Sequence, residues 1–261
     1  FGVAQWALGM STYGFASNNR LICSYRSLGI TYIASLDAAT RNLEVISTPF
    51  SDITRSGLHV DTKRVVFGAA SATVPESLVV CDLSTQDTKI LRRSLKLEID
   101  PGYISEPVPI AFPTENDLTA HAFLYQPTNK DYVSNPDCLP PLIVTIHGGP
   151  TGFSSPTLDL RTQYWTSRGF ALLDVNYGGS TGYGTAYRRR LNGNWGIVDV
   201  SDCINAVRYL IERRVVDPNK TAVRGSSAGG YTVLSILIAS KLFKAGSSSF
   251  GISDLEMLIK D

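Results

Sequence analysis

No run of apolar residues in this sequence is long enough to cross a bilayer. The longest, such as "PPLIVTI", fall far short of the ~20 residues a spanning helix needs. Charge imbalance is missing too: 24 Lys+Arg against 23 Asp+Glu leave a formal net charge of +1, so the basic footprint of a nucleic-acid binder is absent. Neither a membrane nor a nucleic acid is therefore an expected partner. Histidine is scarce, with only His59, His121 and His147, widely separated and without H-E-x-x-H. The four cysteines, Cys23, Cys81, Cys138 and Cys203, form no C-x-x-C pair and no metal-ligand spacing. We expect no metal and no cofactor. Three of the cysteines fall in strand-like or helix-like runs, where a buried reduced thiol is the ordinary role, and the expected setting is cytoplasmic.

What the chain does contain is a change of texture near its middle. Residues 1–100 are short β-like runs bounded by turn residues, with an internal echo. "SLDAATRNLEVIS" and "VCDLSTQDTKILR" superpose at an offset of 45 residues, Asp37 on Asp82 and Thr40 on Thr85. A four-stranded propeller blade has about that period. The prolines between Pro101 and Pro113 mark the expected boundary, and residues 101–261 form the second expected domain.

Beyond the boundary, strand and helix patterns alternate. "PLIVTI" and "FALLDVNY" are apolar runs of strand length. Between them, "LRTQYWTSRG" places Leu160, Tyr164 and Trp165 at helical spacing and stops at Gly169. In "DCINAVRYLIERR" the residues Cys203, Ile204, Val207, Leu210 and Ile211 make one apolar stripe. "TAVR" is a third strand, followed by an apolar helix from about residue 229 to 240. Strand–helix alternation of this kind implies a parallel sheet with helices on its faces.

The stretch "AVRGSSAGGYTVL" carries the chemistry. The pattern G-x-S-x-G fits it in one register only, Gly225-Ser226-Ser227-Ala228-Gly229, which makes Ser227 the candidate nucleophile. A sharp strand-to-helix turn exposes such a serine, and glycines two residues to either side remove the Cβ atoms that would collide with neighbouring backbone. The N–H of Ala228, at the helix N-terminus, is a candidate oxyanion donor. The loop "TIHGGPTG" supplies the second, Gly149, with Gly148 the alternative. His147 reads as scaffold of that loop. "NYGGSTGYG" has neither G-K-[ST] nor full G-x-G-x-x-G spacing, so it reads as a loop bordering the cleft.

With "HGGP", "NYGGSTGYG", "NGNWGIVDVSDC", "VDPNKTAVRGSSAGGYT" and "FKAGSSSFGISDL" in this order, the chain resembles the prolyl oligopeptidase family of serine peptidases, in its acylaminoacyl-peptidase-like and dipeptidyl-aminopeptidase-like branch. The resemblance implies the last blades of a β-propeller, which caps an α/β-hydrolase domain with a partial, mostly parallel sheet. It also implies cleavage of short peptides. In that fold the triad runs Ser, then Asp or Glu, then His. Only 34 residues follow Ser227 and none is histidine, while Asp254 and Asp261 come too soon after the nucleophile helix. We therefore expect a fragment truncated before the catalytic Asp and His. An esterase-like α/β-hydrolase would share the elbow, and a non-catalytic interaction protein would share the fold.

Overall fold

The computed structural model describes residues 1–2, 8–96, 98–135 and 137–256. It divides into two compact units. The first comprises residues 1–99 and 155–159, the second residues 100–154 and 160–261.

The first unit holds two antiparallel meanders. β1 (Tyr13–Phe15), β2 (Arg20–Ser27), β3 (Ile30–Asp37) and β4 (Leu43–Ile46) pair in chain order. So do β5 (Asp52–Val60), β6 (Arg64–Ala70), β7 (Ser77–Asp82) and β8 (Thr88–Arg93). The echo in the sequence is a structural repeat. Asp37 ends β3 and its Oδ1 accepts the N–H groups of Ala39 and Thr40 at 2.9 and 2.7 Å. Asp82 ends β7 and accepts those of Ser84 and Thr85 at 2.8 and 3.2 Å. Hydrogen bonds, led by the Thr40 N–H at Asp37 and by the Ser84 hydroxyl at Asp82, hold both carboxyls below their ordinary range. Four-stranded meanders repeated in this way are what propeller blades consist of. Residues 155–159 join this unit through Ser51 Oγ donating to the Pro156 carbonyl and the Leu158 N–H donating to Ser71 O, both 2.8 Å.

The second unit is built on a six-stranded sheet. β9 (Val108–Thr114) and β10 (Leu118–Tyr125) form an antiparallel hairpin. β11 (Leu142–Ile146), β12 (Ala171–Asn176), β13 (Thr221–Ser226) and β14 (Ala245–Ser249) are mutually parallel, and the order across the sheet is β14-β13-β11-β12-β10-β9. The helices are α1 (Leu160–Thr166), α2 (Thr185–Arg189), α3 (Val198–Glu212) and α4 (Ala228–Ala239). Burial on both faces explains the continuous apolar runs of β11 and β12. Leu142, Val144, Leu173 and Val223 pack with Cys203, Val207 and Leu210 of α3 and with Val233 and Ile236 of α4, whereas Ile143 and Leu172 join Phe123 and Tyr125 beside Trp165.

The hairpin β9–β10 adds two antiparallel strands at the sheet edge. One reading needs correction: the apolar spacing on α1 does not mark its inward face. Tyr164 is exposed, and the buried residues are Thr162, Gln163 and Thr166. Gln163 turns inward because it clasps Ser105, accepting its N–H at 2.7 Å and donating Nε2–H to its carbonyl at 3.1 Å. Both partners are thereby satisfied, and this offsets the cost of burying an amide.

Leu173 is fully buried in the central strand β12, while Ile238 on α4 is 89% exposed. Leu173→Ala should destabilise the second unit by about 2–5 kcal/mol and Ile238→Ala by well under 1 kcal/mol. Urea unfolding followed by circular dichroism on residues 1–261 measures both.

Candidate active site

Strand β13 ends at Ser226 and helix α4 begins at Ala228, so the chain reverses at one residue, Ser227, with φ 55° and ψ −122°. A non-glycine residue in that region is held there by its surroundings. Ser226 lies in the strand, paired in parallel register with Ser249, and Ser227 projects exposed from the corner. The Ser227 N–H donates to Ser249 O at 3.1 Å, which ties the corner to β14.

The glycines flanking this corner have no room for a side chain. A Cβ on Gly225 would stand 2.6 Å from the Gly229 carbonyl carbon, and one on Gly229 would stand 2.7 Å from His147 O, with Ile146 O closer still. The helix entry is therefore pressed against the carboxyl end of β11. The same contact brings in the loop after β11, because a Cβ on Gly148 would lie 3.4 Å from Ser227 Cβ and 3.9 Å from the Ala228 nitrogen. The structure thus brings Ser227, Ala228 and the Gly148–Gly149 loop together. Gly149 is exposed, with φ 124°.

The loop 147–152 is braced by the glycine-rich loop that follows β12. His147 stacks on Tyr177 with ring centroids 4.5 Å apart. One ring nitrogen, Nδ1, is 2.9 Å from Gly148 O, and the other, Nε2, is 2.7 Å from Ser180 Oγ. The Tyr177 hydroxyl donates to Pro150 O at 2.5 Å, Thr181 Oγ1 to Thr151 O at 2.7 Å, and the Thr181 N–H to Gly152 O at 2.9 Å. Asn176 closes the far end by accepting the Ser154 N–H at 2.8 Å and donating to Ser154 O at 3.0 Å. Burial pushes the Tyr177 hydroxyl far above its ordinary range and lowers the His147 imidazole to about 4.

Helix α3 contributes two buried carboxylates that the sequence reading passed over. Asp199 accepts the Gly196 N–H at 2.7 Å and the Thr232 hydroxyl of α4 at 2.5 Å. Asp202 accepts the Gly178 N–H at 2.7 Å and the Thr114 hydroxyl at 2.5 Å. Burial raises both carboxyls above the usual range. Their signal was the D-x-x-D spacing on one side of a helix, next to an apolar stripe. The other two histidines lie elsewhere in the fold. His59 is in β5, and His121 in β10 stacks on Tyr183 at 4.5 Å. Asp254 accepts the N–H of Glu256 at 2.8 Å, and Asp261 lies outside the described residues.

A serine at a strained strand–helix corner, beside a glycine loop and a helix N-terminus, is the layout of the serine hydrolases. The comparisons narrow that class. The prolyl oligopeptidase family profile matches residues 156–261, and over that stretch the chain resembles those serine peptidases. Dipeptidyl aminopeptidase BIII of Pseudoxanthomonas mexicana is 28% identical over 227 residues, which cover 86% of this chain and 33% of that protein. The acylamino-acid-releasing enzyme of Arabidopsis thaliana is 41% identical over 91 residues, covering 35% of this chain and 12% of that protein. A puromycin-hydrolyzing peptidase of Mycobacterium tuberculosis superposes with a TM-score of 0.92 at 38% identity, over 98% of this chain and 39% of that one. The chain spans about a third of the length of its first curated relative.

Two outcomes are expected from this geometry. Gly229→Ala should force the helix entry away from β11 and cost about 1–3 kcal/mol or more, read as a lowered melting midpoint. The second concerns His147, whose imidazole falls from 6.5 to about 4 in the folded chain. Above pH 6.5 it is neutral whether folded or unfolded, but between there and about pH 4 the unfolded chain takes up a proton that the folded chain refuses. Stability should decline as pH falls through that window. His147→Asn should lack this part of the slope when melting midpoints are compared from pH 7 to pH 4.

Proposed function

We propose that this chain is part of a serine peptidase that cleaves short peptides through an acyl-enzyme on Ser227. The observation that carries the reading is the exposed Ser227 at its φ 55° corner, with the Gly148–Gly149 loop packed against it. In this mechanism Ser227 Oγ attacks the scissile carbonyl while a base removes its proton. The oxygen that becomes negative is received by the N–H groups of Gly149 and Ala228, and the amine leaves with the proton the base has held. Water then releases the acyl group by the same route.

The base comes from outside residues 1–261. His147 has both ring nitrogens engaged, and His59 and His121 belong to other strands. The second unit is then the N-terminal part of an α/β-hydrolase domain and the first unit the C-terminal part of a β-propeller. Two features support this assignment. Helix α4 is apolar nearly all round, leaving Leu234, Leu237 and Ile238 exposed, and β14 is an exposed edge strand. Such surfaces are normally covered by further elements. The relatives are named for releasing acylated amino acids, for dipeptidyl aminopeptidase activity and for hydrolysing puromycin. These names support short peptides as the proposed partners. A cytoplasmic setting accords with Cys23, Cys81 and Cys203 as buried thiols.

In the full-length protein, Ser227→Ala should lower turnover of chromogenic peptides by several powers of ten, roughly 10⁶ when a triad acts as a unit. Ser226→Ala should stay within about tenfold of the parent. Residues 1–261 alone should neither hydrolyse these peptides nor react with a fluorophosphonate probe. Activity retained by Ser227→Ala would sink the assignment of the nucleophile.

A further inference from the structure

We propose that Ser180 is a positioning residue for the oxyanion loop, acting through His147 to set the direction of the Gly149 N–H. The inference rests on the reading of Gly149 as an oxyanion donor given above.

The argument starts at the Gly148 carbonyl. A carbonyl oxygen only accepts, so the 2.9 Å contact with His147 Nδ1 requires that Nδ1 carry the proton. The ring is neutral in the folded chain, so its other nitrogen, Nε2, is a bare acceptor. The Ser180 hydroxyl, 2.7 Å away and fully buried, must then be its donor. Ser180 is itself fixed by its N–H donating to Tyr177 O at 2.9 Å, and Tyr177 is the ring on which His147 stacks. The hydroxyl thus selects the tautomer in which Nδ1–H faces Gly148 O.

That choice propagates through one planar unit. The carbonyl of Gly148 and the N–H of Gly149 belong to the same peptide, and in a trans peptide they point in opposite directions. Holding the oxygen toward the imidazole turns the Gly149 N–H away from it, out of the loop. The other struts act on the same side: Pro150, Thr151 and Gly152 have their carbonyls taken by Tyr177 and Thr181. A loop whose carbonyls are held inward presents its amide hydrogens outward without rearrangement, which is what preorganised stabilisation of a developing negative charge requires. The segment "NYGGSTGYG", which bears no nucleophile and no phosphate motif, thereby acquires a role.

The test is steady-state kinetics on the full-length protein with a chromogenic peptide, comparing Ser180→Ala, His147→Asn and the double variant, with Ser227→Ala as control. Ser180→Ala should lower kcat by about tenfold to a hundredfold, less than the 10²–10³ lost when an oxyanion donor is removed outright, with KM within about twofold and an unchanged melting profile. Asn at position 147 offers an amide near the Nδ1 position and has no Nε2 to serve, so adding Ser180→Ala to it should cause no further fall in kcat. Ser180→Cys preserves the volume with only a weak donor and should show the same fall in kcat if Ser180→Ala does not fold. An unchanged kcat in a folded Ser180 variant, or losses that multiply in the double variant, would overturn the proposal. If Ser227→Ala kept its activity, the failure would lie in the assignment of the active site itself.

Discussion

The second unit depends on one close approach of backbone to backbone. Where β13 turns into α4, the Gly225 and Gly229 main chains meet each other and the end of β11 at distances no Cβ tolerates. This contact holds Ser227 in a conformation that a free chain would leave, and it places the helix N-terminus against the loop that follows β11. The strain at Ser227 is local and costs on the order of 1–3 kcal/mol. It persists because β13 is hydrogen-bonded in register to β11 on one side and to β14 on the other, and because the side chains of β11 are largely buried.

Around that corner the packing includes several buried polar side chains. Asn176, Ser180, Asp199, Asp202 and Thr232 are all buried, and each has hydrogen-bond partners. In a low-dielectric setting such groups are costly alone and rigidifying when satisfied. The two aspartates of α3 divide the work. Asp199 grips the first turns of α4 through Thr232, and Asp202 grips the glycine-rich loop through Gly178. One helix therefore holds both the element that carries the serine and the loop that braces its neighbour.

The glycine-rich loop shows how the same composition serves different chemistry. Its glycines permit close packing, since a Cβ on Gly178 would meet Val198 at 2.8 Å and one on Gly179 would meet Leu191 at 2.9 Å. Its hydroxyls and N–H groups are taken by carbonyls of a second loop, by one imidazole, by Tyr177 O within the loop and by the Asp202 carboxylate, where a phosphate loop would leave its N–H groups free for a ligand. Counting residues against nucleotide motifs excluded the one role, and only the three-dimensional partners supplied the other.

Local patterns in the sequence were enough to locate the strand, the serine corner and the helix at 221–239 and the turns at Asp37 and Asp82. These depend on periodicity, on turn chemistry and on glycine spacing within a dozen residues, and such information is carried by neighbours along the chain. The inward turn of Gln163, the buried pair Asp199 and Asp202 and the service of Ser180 to His147 were not legible. Each depends on a bond between residues 24 to 88 positions apart, as between Asp202 and Thr114, and a polar side chain gives no sign in sequence of which distant partner will meet it. Burial decides the matter. Once the sheet closes, a polar group inside must find a partner, and which one it finds is a property of the packed chain alone.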